Sequence, residues 1–222
     1  MENSSKLDFQ NKFDSIAENY DLISNKYTIK RRTNSLRLDI LGVVLEVGSG
    51  SGQVTESSTC DVICIDFSYK MCQQAKKRHS SVLCCDAEFL PFKENFFDGI
   101  IAAEVIYYLL DPCKFILNCK KILKKHGKLY LTLPNDAMEV VAKIRSGLRK
   151  IGFRRMYFND GLKNFMKIDY LKSLLIKNNF RIISLERQVI FPFSSLDRLN
   201  QILEKSILNR YCVFVIIKAE AQ

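Results

Sequence analysis

The sequence is poor in several residue types: it has no tryptophan, two histidines and four prolines among 222 residues. No apolar run reaches the roughly 18 residues that a transmembrane helix needs. The segment Met1 to Lys12 is polar and carries charges of both signs, so it lacks the apolar core of a secretion signal. We therefore expect a cytoplasmic protein.

Clustered metal ligands are also missing. Eight cysteines are present, but no two stand in a C-x-x-C pair, and only His79 and His126 could add imidazole ligands. We therefore predict no metal site. Cys64, Cys84 and Cys212 lie in apolar runs, which favours small buried side chains in a reducing compartment.

Short apolar runs alternate with helical segments. Five runs lack polar alternation, as strands buried on both faces of a parallel sheet do: Val43–Val47, Asp61–Ile65, Val82–Cys85, Gly99–Ala103 and Lys128–Leu133. Two further strands are predicted near the end, at Phe180–Ile190 and Tyr211–Lys218. Helices are predicted at Ser68–Arg78, Pro112–Lys125, Asp136–Lys150, Asp169–Lys177 and Ser195–Ser206. The chain is thus predicted to be an α/β protein with a Rossmann-like, doubly wound sheet of seven strands. The sheet is mostly parallel with an antiparallel edge strand, and helices cover both faces.

A glycine-rich segment follows the first strand: Leu45 to Gly52 reads Leu-Glu-Val-Gly-Ser-Gly-Ser-Gly. Glycines let the backbone turn sharply and let a ligand approach closely. A short helical segment predicted after the loop would add unpaired N–H groups. The dinucleotide pattern G-x-G-x-x-G is absent, because Gln53 and Thr55 stand where its last glycine is needed, and the P-loop pattern is absent too.

Acidic residues stand at the ends of three successive predicted strands. Asp66 lies twenty residues after Glu46, and Asp86 lies twenty residues after Asp66. Because parallel strands end at the same edge of a sheet, these acids are expected to gather there. Nucleotide-binding folds place such a carboxylate on the ribose hydroxyls. The alternative role for Asp66 is to cap the next helix.

With these motifs the chain resembles the class I methyltransferases that use S-adenosylmethionine (SAM), in particular the group of ubiquinone and menaquinone biosynthesis methyltransferases. The resemblance covers about residues 13–134, and the C-terminal third matches in pattern only. The matching pieces are Phe13–Asp21, Glu46–Gly52, Asp66–Ser68 with Met71, Asp86–Glu88 with Leu90–Phe92, Phe97–Asp98, Glu104–Ile106 and Gly127–Leu129.

The resemblance implies SAM as cofactor and a role for each matching residue. Gly48 and Gly50 would pass under its methionine part, Asp66 would hold the ribose, and Asp86 would accept from the adenine amino group. Phe67, Met71 and Ala87 would flank the adenine, while Ala103 and Glu104 would approach the sulfonium. Tyr20 would close over the cofactor or serve as a packing aromatic, and Arg31 or Arg32 would meet its carboxylate. The predicted cofactor-binding set is Tyr20, Glu46, Gly48, Ser49, Gly50, Asp66, Phe67, Met71, Asp86, Ala87, Ala103 and Glu104.

A general base is needed only if the methyl acceptor must lose a proton. The candidates by position are Glu104, Tyr107, Tyr108 and His126, and none is assigned. Tyrosines there are also typical pocket walls, and His126 is also a typical cation at a helix C-terminus. We expect one domain over residues 1–222: an N-terminal helical lid (1–40), a cofactor-binding core (41–134), a helical cap (135–168) and a C-terminal sheet edge (169–222).

The formal net charge is +10, which favours an anionic partner. One basic cluster is Lys30–Arg32. Another spans Val140–Asn159, a predicted amphipathic helix with no acid and with the basic residues Lys143, Arg145, Arg149, Lys150, Arg154 and Arg155. This helix has two possible roles, which both stay open. It could contact an anionic membrane or an acidic carrier, or it could be a solvated face of the protein. We expect a small-molecule or lipid-like acceptor. The alternatives are an RNA methyltransferase, which only the charge supports, and a non-catalytic partner subunit; the oligomeric state stays open.

Overall fold

The computed structural model describes residues 2–36, 42–136 and 166–222, and it is built around one twisted sheet. One strand, β5, begins five residues before its predicted start, and the others agree within about three residues. The strands are β1 (Val43–Val47), β2 (Asp61–Asp66), β3 (Ser81–Cys84), β4 (Phe97–Ala103), β5 (Leu123–Pro134), β6 (Phe180–Gln188) and β7 (Phe214–Ala221). Their order in the sheet is β3-β2-β1-β4-β5-β7-β6.

The first five strands are mutually parallel, whereas β7 runs antiparallel to both β5 and β6. Strand β7 thus enters between β5 and the edge strand β6. The predicted seven-stranded, mostly parallel α/β fold with antiparallel pairing at one side is confirmed. Strands β1, β2, β4 and β5 all end at one edge of the sheet, which we call the carboxyl edge.

Seven helices are described: α1 (Glu2–Ile16), α2 (Tyr20–Ile23), α3 (Lys26–Ser35), α4 (Tyr69–Ala75), α5 (Pro112–Ile122), α6 (Ile168–Lys177) and α7 (Asp197–Leu203). Short 3₁₀ turns occupy Ala17–Asn19, Ile106–Tyr108, Ser194–Leu196 and Ile207–Tyr211. Across the described ranges, none of the helices combines the length and apolar character required to span a bilayer. The predicted helix at Asp136–Lys150 lies outside the described residues except for Asp136, and so do all of the basic segment 140–159 and most of the cap.

Apolar cores lie on both faces of the sheet. Successive residues of a strand point to opposite faces, so Leu45 and Val44 of β1 belong to different cores. The larger core packs Leu45 against α5 residues such as Phe115, and the smaller core packs Val44 against Leu36, which follows α3. The helices on both faces therefore hold the carboxyl edge in place.

Two predicted helix starts are confirmed by their caps. The Ser68 hydroxyl accepts from the Met71 N–H at 3.1 Å, and the Asp111 carboxylate accepts from the Lys114 N–H at 2.9 Å. Each side chain satisfies a backbone donor that has no partner within the helix.

Two other helix predictions were wrong. The chain after the glycine loop forms turns and no helix, because Thr55 leaves the surface to bond with Glu46 instead of continuing a helical turn. Helix α5 ends at Ile122 and not at Lys125, because Leu123 already pairs with Phe97 of β4. A bulge then lets His126 adopt a positive φ of 64° before regular pairing resumes at Lys128.

The C-terminal helix α7 is anchored by one buried amide side chain. Asn200 is completely buried, and its Oδ1 accepts from the N–H groups of Ile190 at 3.1 Å and Phe191 at 2.9 Å. Its Nδ2 donates to the Phe191 carbonyl and to the Tyr27 hydroxyl, both at 2.8 Å. This side chain fixes α7 to α3 and to the end of β6.

We predict that Asn200→Ala lowers the free energy of unfolding by roughly 2–3 kcal/mol, because it leaves buried donors and acceptors unpaired. Urea denaturation measures the change. The control is Gln201→Ala, which removes only an exposed bond to Asp197 and should change stability by less than about 0.5 kcal/mol. Equal effects of the two substitutions would contradict the anchoring role.

Candidate functional site

The carboxyl edge is organised around the carboxylate of Asp66. Its Oδ2 accepts from the Gly50 N–H at 2.8 Å, and its Oδ1 accepts from the Ser68 N–H at 2.8 Å. Burial raises the pKa of Asp66, although these backbone donors oppose the shift. A carboxylate has about four lone-pair sites, so Asp66 keeps acceptor capacity for a ligand hydroxyl beside the backbone donors of Gly50, Ser68 and Phe67.

The glycine loop has a backbone that side chains would not allow at two positions. Gly48 has φ of 62°, and a Cβ there would lie 2.2 Å from the Val105 Cγ2 atom. Gly52 has φ of 82°, and a Cβ there would lie 2.7 Å from the His79 Cδ2 atom. Both distances are far too short for non-bonded carbon atoms, so the loop packs closely on the chain beyond β4 and on His79.

Glu46 supports this loop from the interior. Its carboxylate is buried and accepts hydrogen bonds from the Thr55 hydroxyl and, at 3.7 Å, the Cys64 thiol. The ligand atoms of Glu46, Cys64 and His79 lie within 4.8 Å of one another, so a metal ion could be shared by this trio. Thr55 and the Gly52 carbonyl already bond with the same groups, however, so the trio is satisfied as a structural cluster. The sequence did not indicate this role for Thr55 or His79.

Asp86 lies at the end of β3, where the sequence predicted it, but an unpredicted lysine contacts it. Lys6 Nζ of α1 lies 2.7 Å from Asp86 Oδ2 and 3.1 Å from Glu88 Oε2. Asp86 Oδ1 accepts from the Glu88 N–H at 2.9 Å. The carboxylate retains acceptor sites on both oxygens, but a ligand amino group would share Oδ2 with Lys6.

The N-terminal helices close over the glycine loop. The Tyr20 ring faces Gly50, with its Cε1 atom 3.6 Å from where a Cβ would lie. Asp21 accepts from the Ser51 hydroxyl and from Arg78, both at 2.6 Å. Burial alone would raise the pKa of Asp21, but bonds from Ser51, Arg78 and Gln53 lower it. Tyr20 is therefore held against the loop by its neighbour.

A polar cluster surrounds Glu104, directly after β4. Glu104 has a positive φ of 62°, and its Oε2 accepts from the Tyr107 hydroxyl at 2.9 Å. Its Oε1 accepts from the Thr132 hydroxyl at 3.1 Å and faces Arg32 Nη2 at 3.1 Å. The buried Arg32 Nε has no hydrogen-bond partner. Burial raises the pKa of Tyr107 well above its ordinary value, so this hydroxyl acts as a donor to Glu104.

The structure separates the two predicted arginines. Arg31 bonds with Asp197 at 2.7 Å and with Glu204 at 2.6 Å, so it secures α7 and not the site. Arg32 lies beside Glu104 and is the arginine that the fold brings to the carboxyl edge.

The other predicted cofactor-binding residues differ in how deeply they are buried. Phe67 and Ala103 are half-buried, Ala87 is nearly buried, and Met71 is buried in the interior. Ser49 is buried within the loop. Among the candidate bases, Tyr108 packs edge-on against Phe9 and Phe13 of α1, with ring centroids 5.1 and 5.6 Å apart. His126 lies near the start of β5, away from the carboxyl edge, where it contacts Glu220 at 3.4 Å, so the fold does not bring this candidate base to the site.

An apolar cavity of about 470 Å³ adjoins this cluster. Tyr107 joins the two, because its hydroxyl bonds with Glu104 and the residue also lines the cavity. Lys167 contributes the cationic group of the lining. The remaining lining residues are Ile106, Leu109, Leu110, Pro112, Met166 and Tyr170.

Comparisons with known proteins agree with this geometry. A family model described as a methyltransferase domain matches residues 45–131, from β1 into β5. The demethylmenaquinone methyltransferase of Thermotoga maritima is 26% identical over 198 residues, which cover 77% of this chain and 86% of that protein. The malonyl-[acyl-carrier protein] O-methyltransferase of a Marinomonas species is 28% identical over 159 residues, which cover 65% of this chain and 58% of that protein.

Among solved structures, the fold is also similar to that of a methyltransferase. A SAM-dependent methyltransferase of Thermotoga maritima superimposes with a TM-score of 0.68 at 21% identity, covering 92% of this chain and 94% of that one. The matches agree with the resemblance to class I SAM-dependent methyltransferases, because residues 45–131 match a methyltransferase domain and both of these relatives are methyltransferases. The chain spans between 54% and 60% of the length of the first three curated relatives that it matches.

The buried Glu46 carboxyl leads to a pH prediction. Burial raises its pKa from 4.5 to about 7, although bonds from Thr55 and Cys64 oppose the shift. The folded protein therefore binds this proton more tightly than the unfolded chain does. Its contribution to the free energy of unfolding is full at low pH and is lost as the pH rises from about 4.5 through about 7. The loss is on the order of 3 kcal/mol.

Glu46→Gln should remove this part of the pH dependence, because the amide keeps the shape and does not ionise. Urea denaturation of both proteins at pH 5 and pH 8 measures the difference. The wild type should lose more stability than the variant over this interval. Identical pH dependence in the two proteins would show that Glu46 does not titrate there.

Proposed function

We propose that the protein is an enzyme that binds SAM at the carboxyl edge and transfers its methyl group to a small or lipid-like acceptor. The observation that carries the proposal is the Asp66 carboxylate, which the Gly50 and Ser68 N–H groups fix, one on each oxygen, and which keeps acceptor capacity for a ligand hydroxyl. The hydroxyls of a cis-diol, such as those of a ribose, match two neighbouring acceptors of this kind.

The remaining parts of SAM find suitable groups along the same edge. Asp86 offers acceptors for the adenine amino group, and Phe67 with Ala87 borders that position. Gly48 and Gly50 leave the backbone of the loop open to the methionine part. Arg32 offers its unpartnered Nε to the amino-acid carboxylate, and Tyr20 covers the loop.

When bound, the cofactor supplies an electrophilic methyl group on a sulfonium, so the hard chemistry is its own. Glu104 places a negative charge at the end of β4, where the sulfonium is expected. Three donors hold this carboxylate in position: Tyr107, Thr132 and Arg32. We therefore assign Glu104 an orienting role and not that of a base, and no general base is assigned.

The acceptor is proposed from the cavity beside Tyr107. Its described lining residues are mostly apolar, and Lys167 is the cation among them, which suits an apolar molecule with an anionic group. The names of the relatives point in the same direction, since one acts on demethylmenaquinone and another on a malonyl group held by an acyl carrier. The alternatives of an RNA methyltransferase and a non-catalytic subunit gain no support from the described residues.

Calorimetry tests the cofactor site. Asp66→Ala should weaken SAM binding at least about tenfold, because both ribose hydroxyls lose their acceptor. The matched control is Asp61→Ala, which removes the exposed acid at the opposite end of the same strand and should leave affinity unchanged. Because Asp66 also supports the loop, Asp86→Asn provides a second variant, and it should weaken binding without lowering the melting temperature of the free protein. Unchanged affinity in both variants would refute the placement.

Methyl transfer from labelled SAM tests the acceptor. With total RNA or a lipid and metabolite extract as acceptor, we expect label in the lipid and metabolite fraction at low and moderate salt. Leu110→Asp places a charge in the cavity lining and should abolish this labelling while SAM binding persists. Leu117→Asp, at a similarly exposed position of α5 outside the lining, should retain it. Label in RNA would overturn the proposed acceptor class.

A further inference from the structure

A second surface, distinct from the cofactor site, carries an unusual set of exposed side chains. It is the outward face of residues 191–211, which we call the outer patch. Phe193 is 60% exposed, Ile202 is 66% exposed and Ile207 is 84% exposed. Leu199 and Tyr211 are also exposed. Large apolar groups at this level of exposure are costly in water unless something covers them.

The helix at the centre of the patch has two different faces. Asp197, Asn200 and Glu204 lie on its inner side, where they bond with α3. Arg198, Leu199 and Ile202 lie on the opposite side, as the helical repeat requires. The exposed apolar residues are therefore a consistent outward face and not a local packing defect.

The cations of the patch outnumber its acids, and both acids are paired with an arginine. The segment contains only two acids, Asp197 and Glu204, and Arg31 pairs with both at 2.7 and 2.6 Å. Its three cations, Arg198, Lys205 and Arg210, are exposed. The outer patch therefore presents apolar side chains among cations, with its acids turned towards Arg31.

The position of the patch relates it to the site. Strand β6 ends at Gln188, β7 begins at Phe214, and these two residues pair with each other. Phe214 also pairs with Pro134 at the end of β5. The intervening segment 189–213 thus leaves from and returns to the carboxyl edge, which also carries Asp66 and Glu104.

We propose that the outer patch binds the surface of an anionic lipid membrane. Apolar side chains that enter the headgroup region, combined with cations that pair with lipid phosphates, are the two requirements of such peripheral binding. A second copy of the chain fits less well, because a symmetric contact would bring the cations of one patch against those of the other. The inference rests on the surface alone and goes beyond methyl transfer.

Tryptophan fluorescence tests the proposal directly, because the chain has no tryptophan of its own. Ile207→Trp introduces one reporter in the patch, and Ile176→Trp introduces one at a comparably exposed position of α6. With vesicles of phosphatidylcholine and phosphatidylglycerol, the emission of the first should shift to shorter wavelength while that of the second does not. An absent shift, or equal shifts for both reporters, would overturn the proposal.

Vesicle flotation provides the second measurement. The double variant Ile202→Asp with Ile207→Asp should lower partitioning onto anionic vesicles at least about tenfold. Arg198→Gln should lower it about fivefold, and Ile176→Asp should match the wild type. Wild-type binding by the double variant, or a wild-type protein that forms dimers through the patch by light scattering, would refute the proposal.

The same experiments separate this inference from the proposed function. Calorimetry with SAM on the double variant should give the wild-type affinity, because the substituted residues lie outside the cofactor site. Vesicle binding without SAM binding would reject the cofactor assignment and keep the patch. SAM binding without vesicle binding would reject the patch alone.

Discussion

The Asp66 carboxylate is the interaction on which the site depends. It binds the N–H of Gly50 in the glycine loop and the N–H of Ser68 at the start of α4, so three separate elements meet at one side chain. The loop can take this path only because Gly48 and Gly52 adopt positive φ and pack without a Cβ. The buried Glu46 then supports the loop from beneath through Thr55, and the carboxyl edge gains a fixed backbone.

A second constraint comes from the N-terminal helices, which attach to this edge by polar contacts. Lys6 bridges Asp86 and Glu88, Asp21 accepts from Ser51 and Arg78, and the Tyr20 ring covers Gly50. Phe9 and Phe13 add aromatic contacts with Tyr108, but the polar contacts are ones that a ligand or salt can exchange. Access to the site is expected to depend on this exchange. The dependence is most direct at Asp86, where Lys6 contacts a carboxylate oxygen that is proposed to accept from the adenine amino group.

Much of this arrangement could be predicted from local sequence. The uninterrupted apolar runs of β1 and β4, the caps at Ser68 and Asp111, and the spacing of Glu46, Asp66 and Asp86 all depend on short stretches of chain. Long-range partners could not be predicted. Nothing near Lys6 in sequence indicates that it reaches Asp86, and nothing distinguishes Arg31 from Arg32 until α7 brings Asp197 to the first and the bend after β4 brings Glu104 to the second. The helix after the glycine loop also failed as a prediction, because the Thr55 side chain bonds with Glu46 of β1.

The central claim is that the carboxyl edge binds SAM and not another nucleotide. Calorimetric titration of the wild-type protein with SAM, S-adenosylhomocysteine and NAD tests it most directly. We predict dissociation constants on the order of 1–100 micromolar for the first two ligands and no measurable binding of NAD. Binding of NAD with no heat from SAM or its demethylated product would contradict the account.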